Sequence, residues 1–150
     1  MAVLLKQQGI NLFEIAPVFK RQQDEPLRLS YAQERQWFLW QLEPESTAYH
    51  VPRALRLNGP LDLAALQRSF DTLVARHESL RTRLQQDGQR TVQVIEAQAR
   101  FELGVVEADE SRLKSLVEAQ IAQPFDLRQG PLLRANLLRL AEDDLSLIHI

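Results

Sequence analysis

The chain has 150 residues, 45% of them hydrophobic and 25% charged, and eighteen basic against twenty acidic side chains leave a net charge of −2. This is the composition of one ordinary globular domain or part of a larger one, and its slightly acidic balance argues against a nucleic-acid binder. There is no cysteine for a disulfide or a thiol nucleophile, the three histidines lack zinc-ligand spacing, and the apolar start Ala2 to Leu5 is far below the ~20 residues of a membrane span. Metal, bound cofactor, nucleic acid and membrane are therefore not expected, and the chain reads as cytoplasmic.

Met1 to Gln8 favours a helix stopped by Gly9, and the polar run Lys20 to Pro26 reads as a linker, so residues 1–26 form a lead-in and the body starts near Leu27. Ser30 followed by Gln33 fits a capping box for a helix from Tyr31 to about Leu42. On a helical wheel Tyr31, Ala32, Phe38, Leu39 and Leu42 share one face with Arg35 in its middle. A guanidinium there either snorkels to water or meets an acceptor, and the expectation is a buried, paired Arg35. Trp37 and Trp40 lie off this face and imply a second packing surface, either core or an aromatic wall for a partner.

Tyr49 to Leu57 alternates well enough for a strand, and Asn58, Gly59 and Pro60 turn the chain into a helix capped by Asp62. The stripe Leu63, Leu66, Phe70, Leu73 and Val74 runs toward His77 and sets it near the buried side. After the helix, Leu80, Thr82 and Leu84 alternate with Arg81, Arg83 and Gln85, which puts both arginines on one face of a strand. Asp87-Gly88 signals a hairpin returning over Thr91 to Ile95. Phe101 to Val106 reads as another strand, Asp109 caps a helix with Leu113, Leu116, Val117 and Ile121 as its stripe, and Pro124 stops it. Past Gly130-Pro131 comes a strand apolar on both sides, as inside a sheet.

Arg76, His77, Glu78, Arg81 and Arg83 fall within eight residues at one helix-to-strand junction. On chemistry alone this is either a site or a basic last helical turn favoured by the helix dipole. The stretch Arg76 to Leu84, RHESLRTRL, resembles the RHExLRTxF motif of condensation domains of nonribosomal peptide synthetases, departing at Leu84. Leu29 to Leu42 resembles SxAQxRxWxL through Ser30, Ala32, Gln33, Arg35, Trp37 and Leu39, and Pro124 to Leu140 is similar to the segment before the catalytic motif. The likeness covers about Leu27 to Asp144, and the lead-in around LLKQQGI also resembles the segment preceding such domains.

This resemblance implies an α/β (α+β sandwich) chloramphenicol-acetyltransferase-like lobe, the incomplete N-terminal half of a two-lobe domain, over residues 27–150. It implies amide-bond formation between aminoacyl or peptidyl thioesters held on phosphopantetheine arms of upstream and downstream carrier proteins, beside an adenylation domain of the same synthetase. A related epimerising or ester-forming domain, and a carrier-protein-binding module without chemistry, remain alternatives. Arg35, Arg76, His77, Glu78 and Arg81 are then expected to support the active-site region structurally. The family's HHxxxDG motif is absent, and His149, a single histidine with no Asp-Gly after it, is not expected to be catalytic. Residues 145–150 are read either as non-native read-through or as an ordinary strand end, and the fragment alone is expected to be inactive.

Overall fold

The computed structural model describes residues 26–150; the helix and linker expected before them lie outside the described residues. Three α-helices, α1 (Tyr31–Leu42), α2 (Leu63–Arg76) and α3 (Glu110–Ile121), accompany seven strands. The strands are β1 (Leu27–Arg28), β2 (Arg53–Asn58), β3 (Thr82–Asp87), β4 (Arg90–Ile95), β5 (Leu103–Glu107), β6 (Ala135–Ala141) and β7 (Asp144–His149). They form a three-stranded sheet ordered β1-β4-β3 and a four-stranded sheet ordered β2-β7-β6-β5. Only β5 and β6 pair in parallel, the arrangement that a crossover through α3 permits.

Each helix start is closed by the side chain that the sequence offers. The Ser30 amide donates to Gln33 Oε1 at 2.8 Å and the Gln33 amide to Ser30 Oγ at 3.3 Å, while Asp62 and Asp109 accept from the amides of Ala65 and Arg112. The β3–β4 hairpin turns through Gly88 at φ +58°, where a side chain would be strained. In the larger sheet Gly104 lies under the Asn136 side chain, and an added Cβ would stand 2.0 Å from Asn136 Oδ1.

The four-stranded sheet is apolar on both faces. Val74 of α2, Phe101, Leu137, Leu145 and Leu147 form the core on one face, and Leu138, Ile148 and Ile150 pack with Leu113, Leu116, Val117 and Ile121 of α3 on the other. Residues 145–150 thus supply buried positions to both cores, with β7 paired to β2 and β6. Along α2, Gln67 and Asp71 hold the backbone that leads into β5. Gln67 Nε2 donates to the Phe101 carbonyl at 2.6 Å, and Oδ1 of Asp71 accepts from the Phe101 amide at 3.3 Å.

Two expectations are corrected. The strand expected over Tyr49 to Leu57 begins only at Arg53, because Pro52 has no N–H to give a ladder. On α1 the expected apolar face is the exposed one: Tyr31, Phe38 and Leu42 are 91%, 58% and 63% accessible, and Arg35 among them is exposed with no side-chain partner among the described residues. The buried side carries Trp37, 8% accessible, in a core with Leu29 and Leu84 that Trp40 and Leu127 flank. The helix is apolar on two opposite sides, and the indoles prevail because they stack at 5.2 Å and Trp40 Nε1 finds the Phe125 carbonyl at 3.0 Å. Of the two uses left open for the tryptophans, core is the one observed for Trp37.

Trp37→Ala is therefore expected to cost ~3–5 kcal/mol, and Phe38→Gln no more than ~0.5 kcal/mol, in urea unfolding of the folded domain. Comparable losses in both variants would reject this orientation of α1.

Arg56 on β2 bonds Asp144 with both Nε and Nη2 at 2.5 Å and reaches Glu110 at 3.0 Å. These bonds hold the Asp144 carboxyl below the usual carboxylate range, against its desolvation. The stabilisation is present above the unfolded carboxyl pKa, about 4, and disappears as pH falls through the lower folded value. Asp144→Asn should thus be less stable than the parent near neutral pH, with the gap closing as pH falls through the lowered carboxyl value in denaturation followed across pH. A gap constant with pH would show that the pair contributes nothing through ionisation.

Candidate functional site

An open cleft of about 750 Å3 lies between α1, the segment after it, the three-stranded sheet and the loop following α3. Gln33, Gln36, Leu39 and Trp40 of α1 form one wall; Tyr49, His50 and Val51 form another. Thr82, Leu84 and Gln93 come from the smaller sheet, and Phe125, Leu127 and Leu132 from the loop. Ile150, one residue beyond β7, also lines it, so the central strand of the larger sheet is directed at this space.

Side-chain bonds fix the walls. Gln33, having closed the capping box with its carbonyl, donates through Nε2 to Gln93 Oε1 at 3.0 Å, and Gln93 in turn donates to the Arg28 carbonyl at 2.9 Å. The loop is tied to β3 by the Leu84 amide on the Leu127 carbonyl at 2.7 Å, and to α1 by Arg128, whose guanidinium lies 4.9 Å from the Trp40 ring centroid. Arg128 also bonds Asp126 and holds its carboxyl below the usual range, against desolvation. Arg134 folds back beneath the loop to the carbonyls of Gln123 and Pro124, 3.9 Å over the Phe125 ring, and burial pushes its pKa down. The Gly130-Pro131 peptide in this loop is cis.

The junction residues divide. Leu80 lies in a single 3-10 turn, Glu78–Arg81, and β3 starts only at Thr82, so the strand expected from Leu80 is shortened by two residues. Arg81 and Arg83 do share a side: Arg81 Nη1 donates to the Glu96 carbonyl, and Arg83 Nε bonds the Glu96 carboxylate at 2.6 Å. Arg81 also faces Glu78 at 3.9 Å, its side chain is 15% exposed, and its Nε is buried without a partner. The Thr82 hydroxyl caps the turn by donating to the Glu78 carbonyl at 2.7 Å. Arg76 and His77 are exposed. His77 was expected near the buried side; it caps α2 with extended backbone, which turns it off the helical stripe. Of the five supporting residues expected, none lines the cleft; Arg81 is the one that anchors backbone, and it does so behind Thr82, a cleft residue.

His149 pairs in register with Arg53 and Ala135 and is not among the cleft residues. Sequence reasoning passed over His50, Gln93, Phe125 and Ile150. His50, Phe125 and Ile150 stand at a strand end or loop, where a wheel or alternation count assigns no face, and Gln93 lies inside β4 as an ordinary polar strand residue. Among the described residues no cluster of side chains is arranged to hold a metal, and no helix is long and apolar enough to cross a membrane.

The fold is that of the chloramphenicol-acetyltransferase-like condensation domains. The crystal structure of the X-domain from teicoplanin biosynthesis matches with a TM-score of 0.80 at 34% identity, over 89% of this chain and 29% of that one. The starter condensation domain of rhizomide synthetase matches with a TM-score of 0.75 at 24% identity, over 84% and 32%, a likeness of fold alone. A linear gramicidin synthase from Brevibacillus parabrevis is 40% identical over 149 residues, 95% of this chain and 2% of that protein. Malpibaldin synthetase of Mortierella alpina is 44% identical over 126 residues, 80% of this chain and 2% of that protein. A family model described as Condensation domain matches residues 23–149, and the chain belongs to that family. It spans about 2% of the length of these two synthetases.

Arg81→Ala should cost ~1–3 kcal/mol of stability, the range for a buried polar group losing its partner, whereas Arg76→Ala should cost at most the ~0.3–1 kcal/mol of a charge at a helix end. Urea melts of both variants measure this. Equal losses would remove the anchoring role of Arg81.

Proposed function

We propose that this chain is the N-terminal part of a domain that forms amide bonds between carrier-bound thioesters, with residues 1–26 as lead-in and 27–150 as part of one lobe. The observation that carries this reading is the cleft at the end of β7: Ile150 opens into it, and the resemblance sets the catalytic motif just after this strand. In the reaction an amine attacks the thioester carbonyl, the C–N bond forms, the C–S bond breaks, and the proton lost by the amine ends on the leaving thiol. A thioester is already activated, so the protein's task is to hold amine and carbonyl in attack geometry and manage one proton. The cleft walls suit the first part of that task. Phosphopantetheine arms on upstream and downstream carrier proteins would bring both substrates, with an adenylation domain of the same synthetase as supplier of the activated amino acid.

The supporting role of Arg76, His77, Glu78 and Arg81 belongs to the same proposal, through the wall that begins at Thr82; Arg35, exposed on the far side of α1, would act from outside that wall. A second reading is favoured by one observation. The similar X-domain is also solved as a complex with OxyB, which supports a partner-binding module of this fold.

One experiment separates them. Donor-loaded and acceptor-loaded carrier proteins are offered to the complete domain carrying this chain and, separately, to the 150-residue chain, and dipeptidyl thioester is followed by mass spectrometry. The complete domain should form product, while the chain alone should stay at background, since loss of a general base removes ~10²–10⁴ of rate. A complete domain that binds carriers without product would favour the binding module. Product from the 150-residue chain that vanishes in His149→Ala would make His149 the base.

A further inference from the structure

His50 is the histidine that lines the cleft, and its ring is held in one tautomer. Nδ1 lies 3.0 Å from the Ile121 carbonyl at the end of α3, and the ring meets Phe125 edge-on with centroids 5.0 Å apart. A carbonyl oxygen only accepts, so Nδ1 carries the proton and donates. In a neutral ring Nε2 is then an acceptor. Nε2 has no hydrogen-bond partner among the described residues, yet the buried unpartnered side-chain atoms there are Arg81 Nε and Arg134 Nε. Nε2 is therefore reached by solvent, on a residue that is itself half-buried and lines the cleft together with Ile150. A backbone bond from the His50 amide to the Thr47 carbonyl at 3.0 Å fixes the turn that carries it.

We propose that His50 is a positioning residue whose Nε2 accepts a hydrogen bond from an N–H donor of the substrate entering this cleft. This rests on the amide-forming reading above for the identity of that donor, which is either the attacking amine or an amide of the pantetheine arm. Its place is argued from three features independent of that reading. The wall fixes the ring from behind, the free nitrogen is an acceptor, and Val51, next in the chain, and Phe125, edge-on to the ring, carry no side-chain acceptor of their own. A site built to accept a substrate N–H discriminates against analogues that lack it.

His50→Asn is the informative variant. Its amide nitrogen stands close to where Nδ1 stands and keeps the bond to Ile121, but it places no acceptor at the ε position; His50→Gln restores an acceptor there. In the complete domain, His50→Asn should raise KM for the acceptor substrate about 3- to 10-fold, the weight of one neutral hydrogen bond, with the loss falling on KM and with recovery in His50→Gln. The same domain with 15N-labelled histidine is titrated with two probes: pantetheine, which has amides and no amine, and alanine ethyl thioester, which has an amine and no amide. His50 Nε2, assigned by its absence in His50→Asn, should respond to one of them and so name the donor. Response to neither, with KM unchanged in His50→Asn, overturns the proposal. An Nε2 response in a domain that forms no dipeptide would leave the N–H site standing and reject the amide-forming reading instead.

Discussion

Strands β6 and β7 run antiparallel through the middle of the four-stranded sheet, and each has to satisfy an apolar core on both of its faces. Leu137 and Leu145 turn to the α2 side, Leu138 and Ile148 to the α3 side, and all four are fully buried. With backbone groups bonded on either hand and side chains covered above and below, this pair has little freedom in register, since a slip of one residue would exchange the two cores. The position of α2 and α3, and through α3 the loop that walls the cleft, follows from it. Asn136, next to Leu137 and opposite Ile148, is polar; it bonds Gln120 of α3 at 2.7 Å and needs Gly104 beside it for room.

The smaller sheet is held differently. It has one short strand and one hairpin, too little apolar surface to stand alone, and it is fastened at its edges by polar side chains. Glu96 takes Arg83 on its carboxylate and Arg81 on its carbonyl, while the Glu96 amide donates to the Arg81 carbonyl at 3.0 Å. At the other edge Gln33 and Gln93 join α1 to β1 and β4. These two polar fastenings bracket Thr82 and Leu84, and they determine where one wall of the cleft stands.

Most of the fold was legible because caps, turns and alternation are local. Ser30, Asp62 and Asp109 announced the three helices, Asp87-Gly88 the hairpin, and the two-sided apolar run after Pro131 the central strand. What failed was the direction of faces. A wheel counts Tyr31, Phe38 and Leu42 as a larger apolar patch than Trp37 and Trp40, and only the neighbours Leu29, Leu84 and Leu127, brought from three separate segments, decide between them. Arg35 was misread with that face. The junction motif marked the anchor at Arg81 but not the cleft, because an arginine's charge is visible in a sequence whereas a concavity assembled from loops is not. His50 illustrates the limit: its tautomer depends on a carbonyl 71 residues away.

The composition of the cleft bears on what kind of chemistry its walls can perform. Its titratable lining residues are Glu43, Tyr49 and His50; the rest are apolar, amide or hydroxyl side chains. No two of those three groups are hydrogen-bonded to each other in the way a nucleophile and its base require, and the one histidine has its Nδ1 committed to the scaffold. Such walls can orient and desolvate a reactant. On the proposed reading, in which both groups arrive tethered and the carbonyl is an activated thioester, alignment can contribute up to ~7–11 kcal/mol. The exposed side of α1, with Tyr31, Phe38 and Leu42 around Arg35, lies turned away from the Trp37 core. The charge of Arg35 interrupts the apolar side chains there, and Leu42, at the end of the helix, also lines the cleft, so α1 is fixed by its indoles on one side and presents a mixed surface on the other.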